Sequence, residues 1–272
     1  MADLTAKRDA LLACLTRLES CAVAFSGGVD SAVVAKAAHL ALGERAVAVT
    51  GTSASLASGE LDLAEQVAER IGIRHVVIAT DELSRPGYTA NAPDRCYHCK
   101  TELYTELAAL LPTLGVRSIV NGANADDAGD YRPGMQAAAE HRIHSPLADC
   151  SITKADVRQL AAAWDLPVWD KPATPCLSSR IAYGEEVTPE RLRRIDEAEL
   201  FLRGKGLPNL RVRYHKGDLA RIEVPLAELP RLCEPGLRDE LTAAFRRLGF
   251  KFITLDLEGF RSGSLNQLVQ IR

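Results

Sequence analysis

Between residues 21 and 122, short β-branched apolar runs alternate with longer stretches whose apolar positions recur every three or four residues. CAVAF, RAVAVT, RHVVIA and RSIVNG read as strands, with DSAVVAKAAHLAL, SGELDLAEQVAERIG and CKTELYTELAALL as the helices between them. This alternation predicts right-handed crossovers and a parallel sheet covered on both faces, with ligands at the carboxyl ends of the strands. The first stretch, MADLTAKRDALLACLTRLES, carries charge throughout and predicts an amphipathic helix. It reads as neither a signal peptide nor a membrane span, and no membrane association is expected.

The pattern changes at LPVWDKPATPCLSSRIAYGEEVTPE, whose Pro, Ser and Gly mark a linker or an ordered functional loop. Beyond it come a helix (PERLRRIDEAELFLRGKG), two alternating strands (LRVRYH, ARIEVP), a helix (PGLRDELTAAFRRLG) and a strand (FITLDL). The expectation is an α/β domain over 1–175 and a small α+β domain over 176–272. A chain of 272 residues has ample apolar content for both cores.

Composition narrows the partners. Thirty-three basic against 36 acidic residues offer no global field for nucleic acid, so an RNA or DNA substrate would need a local basic patch. Seven cysteines, scattered and odd in number, argue against a disulfide framework and for a cytoplasmic protein.

The most specific motif is AVAFSGGVDSAVVAKAA, which sets Ser26, Gly27, Gly28, Val29, Asp30 and Ser31 between an apolar strand and a helix. Glycines let backbone N–H groups close on an anion, and the helix N-terminus adds partial positive charge, so a phosphate fits there. The blander reading is a tight turn with a Ser or Asp cap. The Gly-Lys-Ser/Thr of a Walker loop and the G-x-G-x-x-G of a dinucleotide fold are both missing. SGGVDS resembles the PP-loop of the ATP pyrophosphatases, which include NAD synthase, GMP synthetase and the tRNA thiolases. The resemblance implies an adenine nucleotide α-hydrolase-like fold and cleavage of ATP between the α- and β-phosphates. Asp30 would then help hold Mg²⁺, and Ser26 and Ser31 would donate to phosphate. Thr50 and Gly122, at neighbouring strand ends, would frame the adenosine.

Further stretches, VNGANADDAGDYRPG, PCLSSRIAYG, LRVRYH with ARIEVP, and TLDLEGFRSGSLN, resemble together the LarE family of sulfur transferases, over nearly the whole chain. What the resemblance implies is adenylation of a carboxylate of pyridinium-3,5-biscarboxylic acid mononucleotide, then replacement of AMP by sulfur, for the nickel pincer cofactor of lactate racemase. In the best known type the cysteine matched here by Cys176 gives up its own sulfur and becomes dehydroalanine. This sequence departs from that type in having Cys96 and Cys99, and resembles the branch in which three cysteines, here Cys96, Cys99 and Cys176, hold a [4Fe-4S] cluster with one iron open to hydrosulfide. The resemblance also implies a homo-oligomer, with hexamers the precedent; the sulfide donor is unspecified.

From the residues alone, C-x-x-C also fits half a zinc site or a redox dithiol. A redox pair would be expected to open a helix inside a thioredoxin-like unit, which this neighbourhood does not resemble. Cys176 alone would more often be an inert loop residue; Lys171 and Arg180 would give it an electropositive setting. Cys14, Cys21, Cys150 and Cys233 read as bystanders.

In the small domain Arg211 and Arg213 alternate along a strand and project from one face, which suits a mononucleotide phosphate; the commoner fate of such a pair is an exposed, charge-paired strand face. Glu199 and Glu223 match LarE positions implicated in activity or metal binding, and Ser179 and Arg180 follow the sulfur loop. Asp126, Asp127, Asp130 and Arg132 follow a strand end, as ligand contacts or as a polar turn. The rivals are a tRNA thiolase with cysteine-bound Fe-S, a sacrificial-cysteine enzyme without a cluster, and a nucleotide sensor with structural zinc.

Overall fold

The computed structural model describes residues 2–129, 133–261 and 265. The chain forms two compact units. The first is Met1–Ser53, Gly59–Glu82 and Cys96–Thr174; the second is Ala54–Ser58, Leu83–Arg95 and Pro175–Arg272. The second unit thus takes in two stretches that a contiguous division at residue 175 gives to the first. Hydrogen bonds hold them there: Asn91 donates from Nδ2 to the carbonyls of Ala182 and Glu185, each at 2.9 Å, and the backbone N–H of Leu177 donates to Ser55 O at 2.8 Å.

In the first unit α1 (Ala2–Thr16) precedes β1 (Cys21–Ala24), α2 (Val29–Leu42), β2 (Ala46–Thr52), α3 (Glu60–Ile71) and β3 (Arg74–Ala79). The short α4 (Pro86–Thr89) belongs to the second unit. Then follow α5 (Arg95–Leu114), β4 (Ser118–Val120), α6 (Pro133–Glu140), α7 (Pro146–Asp149) and α8 (Lys154–Ala163). The strands pair in parallel in the order β3-β2-β1-β4, the sheet predicted from the alternation. Because side chains alternate across a strand, Cys21 and Val23 join a core with α1, α2, α3 and α8, while Ala22 faces Tyr104, Leu107 and Ile119 on the other side. The chain runs from β1 out to β2 and β3, then returns to β1's other flank at β4. That reversal makes the carboxyl ends of β1 and β4 a topological switch point, where ligands bind. Helix α2 is rich in alanine and nearly enclosed, with nine buried residues; small side chains let its N-terminus lie close to both strand ends.

The second unit contains α9 (Pro189–Gly204), β5 (Arg211–His215), β6 (Leu219–Glu223), α10 (Leu229–Cys233), α11 (Pro235–Arg247) and β7 (Phe252–Leu255). β5 and β6 form an antiparallel hairpin through Gly217 and Asp218, both at positive φ, and β7 adds in parallel to β6. Among the described residues no helix is long and apolar enough to cross a membrane.

Two differences from the sequence reading bear on function. Helix α5 begins at Arg95, four residues before the expected start, so Cys96 and Cys99 both stand among its first five residues. The pair therefore does open a helix, beside the all-parallel β3-β2-β1-β4 sheet. The region between β4 and α9, unassigned from sequence beyond its loops, supplies α6, α7 and α8.

Candidate functional site

The segment Phe25–Gly28 leaves β1 and enters α2. Gly27 has φ +68°, in the left-handed region, and a Cβ there would lie 2.9 Å from Ala64 Cα, so only glycine lets α3 pack against the loop. Gly28 is the N-cap and brings no side-chain cap, leaving the first N–H groups of α2 facing the loop. Ser26 and Ser31 brace the turn. Their hydroxyls are 3.2 Å apart, Ser26 N donates to Ser31 Oγ, and Ser31 Oγ donates to Gly28 O at 3.0 Å.

Both neighbouring strand ends are fitted to this loop. A Cβ on Gly122 would come within 2.8 Å of Ser31 N, so the chain leaving β4 passes directly over the start of α2. Thr50 is buried and its hydroxyl is committed inside the protein: it donates to Phe25 O at 2.9 Å and accepts from His75 Nε2 at 2.8 Å. Burial lowers the His75 pKa and so favours the neutral ring, in which this bond is made by the tautomer that carries its proton on Nε2. Thr50 holds the entrance of the loop rather than offering its hydroxyl to a ligand.

Asp30 is the charged residue of the loop, and its partners come from distant chain. Lys154 Nζ lies 2.5 Å from Oδ2, and Asn124 Nδ2 donates to Oδ1 at 3.1 Å. Lys154 opens α8, behind the capping box of Thr153 and Asp156, and its own N–H donates to Asp126 Oδ2 at 2.8 Å. Asp127 Oδ2 accepts from Asn124 N at 3.0 Å. Asp126 and Asp127 thus build the polar turn that presents Asn124 and Lys154. Neither of those two was singled out from sequence; the Thr-Lys-Ala-Asp cap was the available signal for Lys154. Asp130 and Arg132 lie outside the described residues.

In the second unit Cys176, half-buried, heads a short 3₁₀ turn over Leu177–Arg180. Its carbonyl accepts from Ser179 Oγ at 2.7 Å, Arg180 Nη1 at 2.9 Å and Ser179 N at 3.0 Å. Arg180 is wholly buried, which a loop arginine does not suggest from sequence. Nε and Nη2 donate to the two carboxylate oxygens of Glu199 on α9, at 3.1 and 3.3 Å, and Nη1 also reaches Pro175 O. Behind the turn, buried Ser178 meets Tyr88 at 2.5 Å, and Arg95 donates to Ser178 O at 2.8 Å. The two cations expected to surround Cys176 are engaged elsewhere: Arg180 with Glu199, and Lys171, in the first unit, with Glu60 at 2.7 Å.

Arg211 and Arg213 share one face of β5, as their alternation predicts, but differ in use. Arg213 is buried and fully engaged, with Nε and Nη2 on Glu223 Oε2 at 3.0 and 2.8 Å and Nη1 on Ser179 O at 3.1 Å. Burial first, then the charge of Arg180, pulls the Arg211 pKa down to about 10, and its guanidinium lies 5.1 Å from the centre of the Phe260 ring. Glu199 is shared by Arg180 and Arg203, and Glu223 by Arg213 and Arg221. Ser179, Arg180, Glu199, Arg213 and Glu223 therefore form one bonded set, with Cys176 at its edge.

Cys96 is exposed and Cys99 half-buried; three positions apart in one helix, they share a face. They belong to the first unit and Cys176 to the second. Among the described residues no three His, Cys, Asp or Glu side chains are gathered as around a metal ion.

Comparison with known proteins agrees with this geometry. Residues 7–112, which include the loop and the helix bearing Cys96 and Cys99, match the asparagine synthase family. The chain is 47% identical to an uncharacterized protein of Synechocystis, over 93% of this chain and 94% of the relative. It is 37% identical to the pyridinium-3,5-bisthiocarboxylic acid mononucleotide synthase of Lactiplantibacillus plantarum, over 98% of this chain and 96% of that one. An uncharacterized protein of Methanocaldococcus jannaschii is 30% identical over 88% of this chain and 90% of its own length. With the nucleotide loop, its parallel sheet and near-full-length kinship to a characterised synthase, the chain belongs to the LarE family of PP-loop, ATP-dependent sulfur transferases.

Proposed function

We propose that this enzyme adenylates a carboxylate of pyridinium-3,5-biscarboxylic acid mononucleotide and exchanges AMP for sulfur, as a step in forming a nickel pincer cofactor in the cytoplasm. The observation that carries the reading is the uncapped glycine turn at the β1–β4 switch point, with Asp30 at the start of α2. In the first step a carboxylate oxygen attacks the α-phosphorus of ATP, giving an acyl adenylate and pyrophosphate. In the second, hydrosulfide adds at the acyl carbon and AMP departs, giving the thiocarboxylate and a proton. The N–H groups at the start of α2 receive the pyrophosphate, and Lys154 places a cation beside it. A partly exposed carboxylate among phosphate-binding groups suits Mg²⁺, so Asp30 is the residue that would hold it.

Arg211 and Arg213 face the mononucleotide phosphate in this reading. Glu199, Glu223 and Ser179 hold those arginines and the Cys176 turn in place. A [4Fe-4S] cluster, when bound, supplies an iron that carries hydrosulfide, and Cys96, Cys99 and Cys176 are the thiolates that would hold it. Two thiols on one helical face, neither in a disulfide, suit such soft metal chemistry. Arg180 and Ser179 fix the Cys176 carbonyl, so the thiol has one direction in either role, ligand or sulfur donor. A homo-oligomer is part of the same proposal.

The test is anaerobic reconstitution with iron and sulfide, with iron content, Mössbauer spectra and carboxylate-dependent pyrophosphate release recorded for the wild type and Cys176→Ala. A four-iron cluster that degrades in the variant supports the ligand role. Zinc or no metal, with a protein lighter by one hydrogen sulfide after a turnover, assigns Cys176 as the sacrificial donor. Absence of pyrophosphate release with the carboxylate present would sink the adenylation reading.

A further inference from the structure

Cys14 and Cys150, bystanders in the sequence reading, are brought together by the fold of the first unit. In α1 the positions Lys7, Leu11 and Cys14 recur at helical spacing and so share one stripe. That stripe meets the segment running from α7 into α8. Lys7 Nζ lies 2.7 Å from Asp156 Oδ2, Leu11 and Leu147 enter the same core, and the thiols of Cys14 and Cys150 hydrogen-bond to each other. All six residues belong to the first unit. Neither thiol is in a disulfide and both are half-buried, so they are shielded from large partners yet within reach of a small molecule. Burial first, then the neighbouring Cys14, pushes the Cys150 thiol up to about 11, so Cys150 keeps its proton and Cys14 is the sulfur that reacts first.

Cys150 closes α7, which joins the two segments that reach the nucleotide loop. On one side Ala148 N donates to Ala123 O at 3.2 Å, beside Asn124; on the other, Ala125 N donates to Ile152 O at 2.9 Å, beside Thr153 and Lys154. Asn124 and Lys154 are the partners of Asp30. Asp156, which pairs with Lys7, also accepts from Thr153 N at 2.9 Å and so caps the helix that Lys154 opens. The turn has little slack. Ser151, directly after Cys150, already sits at φ +53°, in the left-handed region that a non-glycine residue rarely takes. A pull on Cys150 towards α1 is therefore passed on to Asn124 and Lys154.

We infer that Cys14 and Cys150 form a redox-modification site, closing to a reversible disulfide that loosens the hold of Asn124 and Lys154 on Asp30 and weakens ATP binding. The co-reactant is a low-molecular-weight disulfide of the glutathione class. In the first exchange the Cys14 thiolate attacks it, giving a mixed disulfide and a small thiolate that takes up a proton. In the second the Cys150 sulfur displaces the remaining small thiol, to which its proton passes. Two protein thiols lose two electrons and two protons, and the small disulfide becomes two thiols. A transient, redox-sensing bridge is the kind that a reducing compartment allows.

The test equilibrates the full chain with reduced and oxidised glutathione at set ratios, with and without ATP, then alkylates it and maps the peptides by mass. The expected product is a Cys14–Cys150 bridge, lighter by two hydrogens, reopened by reductant and absent from Cys14→Ser and Cys150→Ser. Thermal unfolding confirms that both variants are folded. By calorimetry the oxidised wild type should bind ATP roughly 5-fold or more weakly than the reduced protein, while Cys14→Ser binds it equally after both treatments. Coupling between sites is reciprocal, so saturating ATP should resist closure of the bridge by the same factor. Bridges among other cysteines only, or none at all in the most oxidising mixture, refute the site. A Cys14–Cys150 bridge that leaves ATP affinity unchanged upholds the modification and overturns its link to the nucleotide loop. A loss of affinity that persists in oxidised Cys14→Ser arises at other cysteines and overturns that link as well.

Discussion

Glu199→Gln offers the most direct test of how the Cys176 turn is held. Glu199 and Arg180 are both wholly buried, and the carboxylate accepts from Arg180 through both oxygens, from Arg203 at 2.8 Å and from Val212 N at 3.2 Å. The amide removes the charge and turns an N–H₂ group towards guanidinium donors, so Arg180 is left charged, desolvated and uncompensated. Breaking one side of such a pair costs about 3–5 kcal/mol. On the second unit this lowers Tm by on the order of 10 °C. Chemical denaturation followed by fluorescence and circular dichroism reads the loss. Sulfur transfer should fall further than pyrophosphate release, because Arg180 Nη1 also fixes the carbonyls of Pro175 and Cys176. Replacing both partners, Arg180→Met with Glu199→Leu, removes the buried charge and should recover most of the stability but not the transfer rate. A Glu199→Gln loss below about 1 kcal/mol, or a double variant less stable than the single one, would show that the pair does not carry the weight assigned to it.

Gly27→Ala should cost about 1–2 kcal/mol from its left-handed backbone alone, and the contact with Ala64 adds to that. Carboxylate-dependent pyrophosphate release should collapse, whereas Gly28→Ala, whose Cβ meets only Ser26 Oγ at 3.4 Å, should be far milder. Lys154→Met leaves Asp30 without its cation and should lower kcat/KM for ATP by roughly 10-fold or more, with partial recovery in Lys154→Arg, as read in a steady-state pyrophosphate assay. Asp218 is held down to about 2 by Lys251, Tyr214 and Arg194. Its folded pKa lies below the unfolded value near 3.8, so its contribution is complete above pH 4 and disappears as pH falls through 2. Acid unfolding of Asp218→Asn should therefore show a flatter pH dependence between about pH 4 and 2.

The two inner strands were legible because they are buried on both faces, so CAVA and AVAVT announce themselves as continuous apolar runs; the edge strand RHVVIA, with no residue fully buried, was legible only from its β-branched centre. The loop was legible because Gly27 and Gly28 answer a local geometric demand. What escaped was long-range. Asn124 and Lys154 reach Asp30 from 94 and 124 residues away, and nothing in a Lys-Ala-Asp helix start says where its ammonium lands. The stretch Leu83–Arg95 joins the second unit through the side chains of Asn91 and Arg95, and single polar side chains leave no periodic trace. Cys96 lay outside the helix read from sequence because Arg-Cys-Tyr-His carries no helical apolar period; Asp94, a residue type favoured at helix N-caps, was the available signal.

The charges of the second unit were read one by one as substrate contacts, and the structure gives a reason why they come together. Each buried carboxylate serves two arginines: Glu199 holds Arg180 and Arg203, Glu223 holds Arg213 and Arg221, and Asp256 holds Arg221 and Arg261. An arginine can be brought into a folded interior only beside negative charge, so without these three acids the guanidiniums would turn outward to water. With one acid for each pair, Arg180 and Arg213 stay inside, Arg203, Arg221 and Arg261 stay partly covered, and the face keeps more positive charge than negative. In the proposed reading the carboxylates hold the cations of an anion site fixed, and a substrate phosphate arriving there would complete a charge balance that the protein leaves open. Losing an acid should therefore weaken phosphate recognition although it removes a negative charge, the opposite of what a freely solvated patch would do.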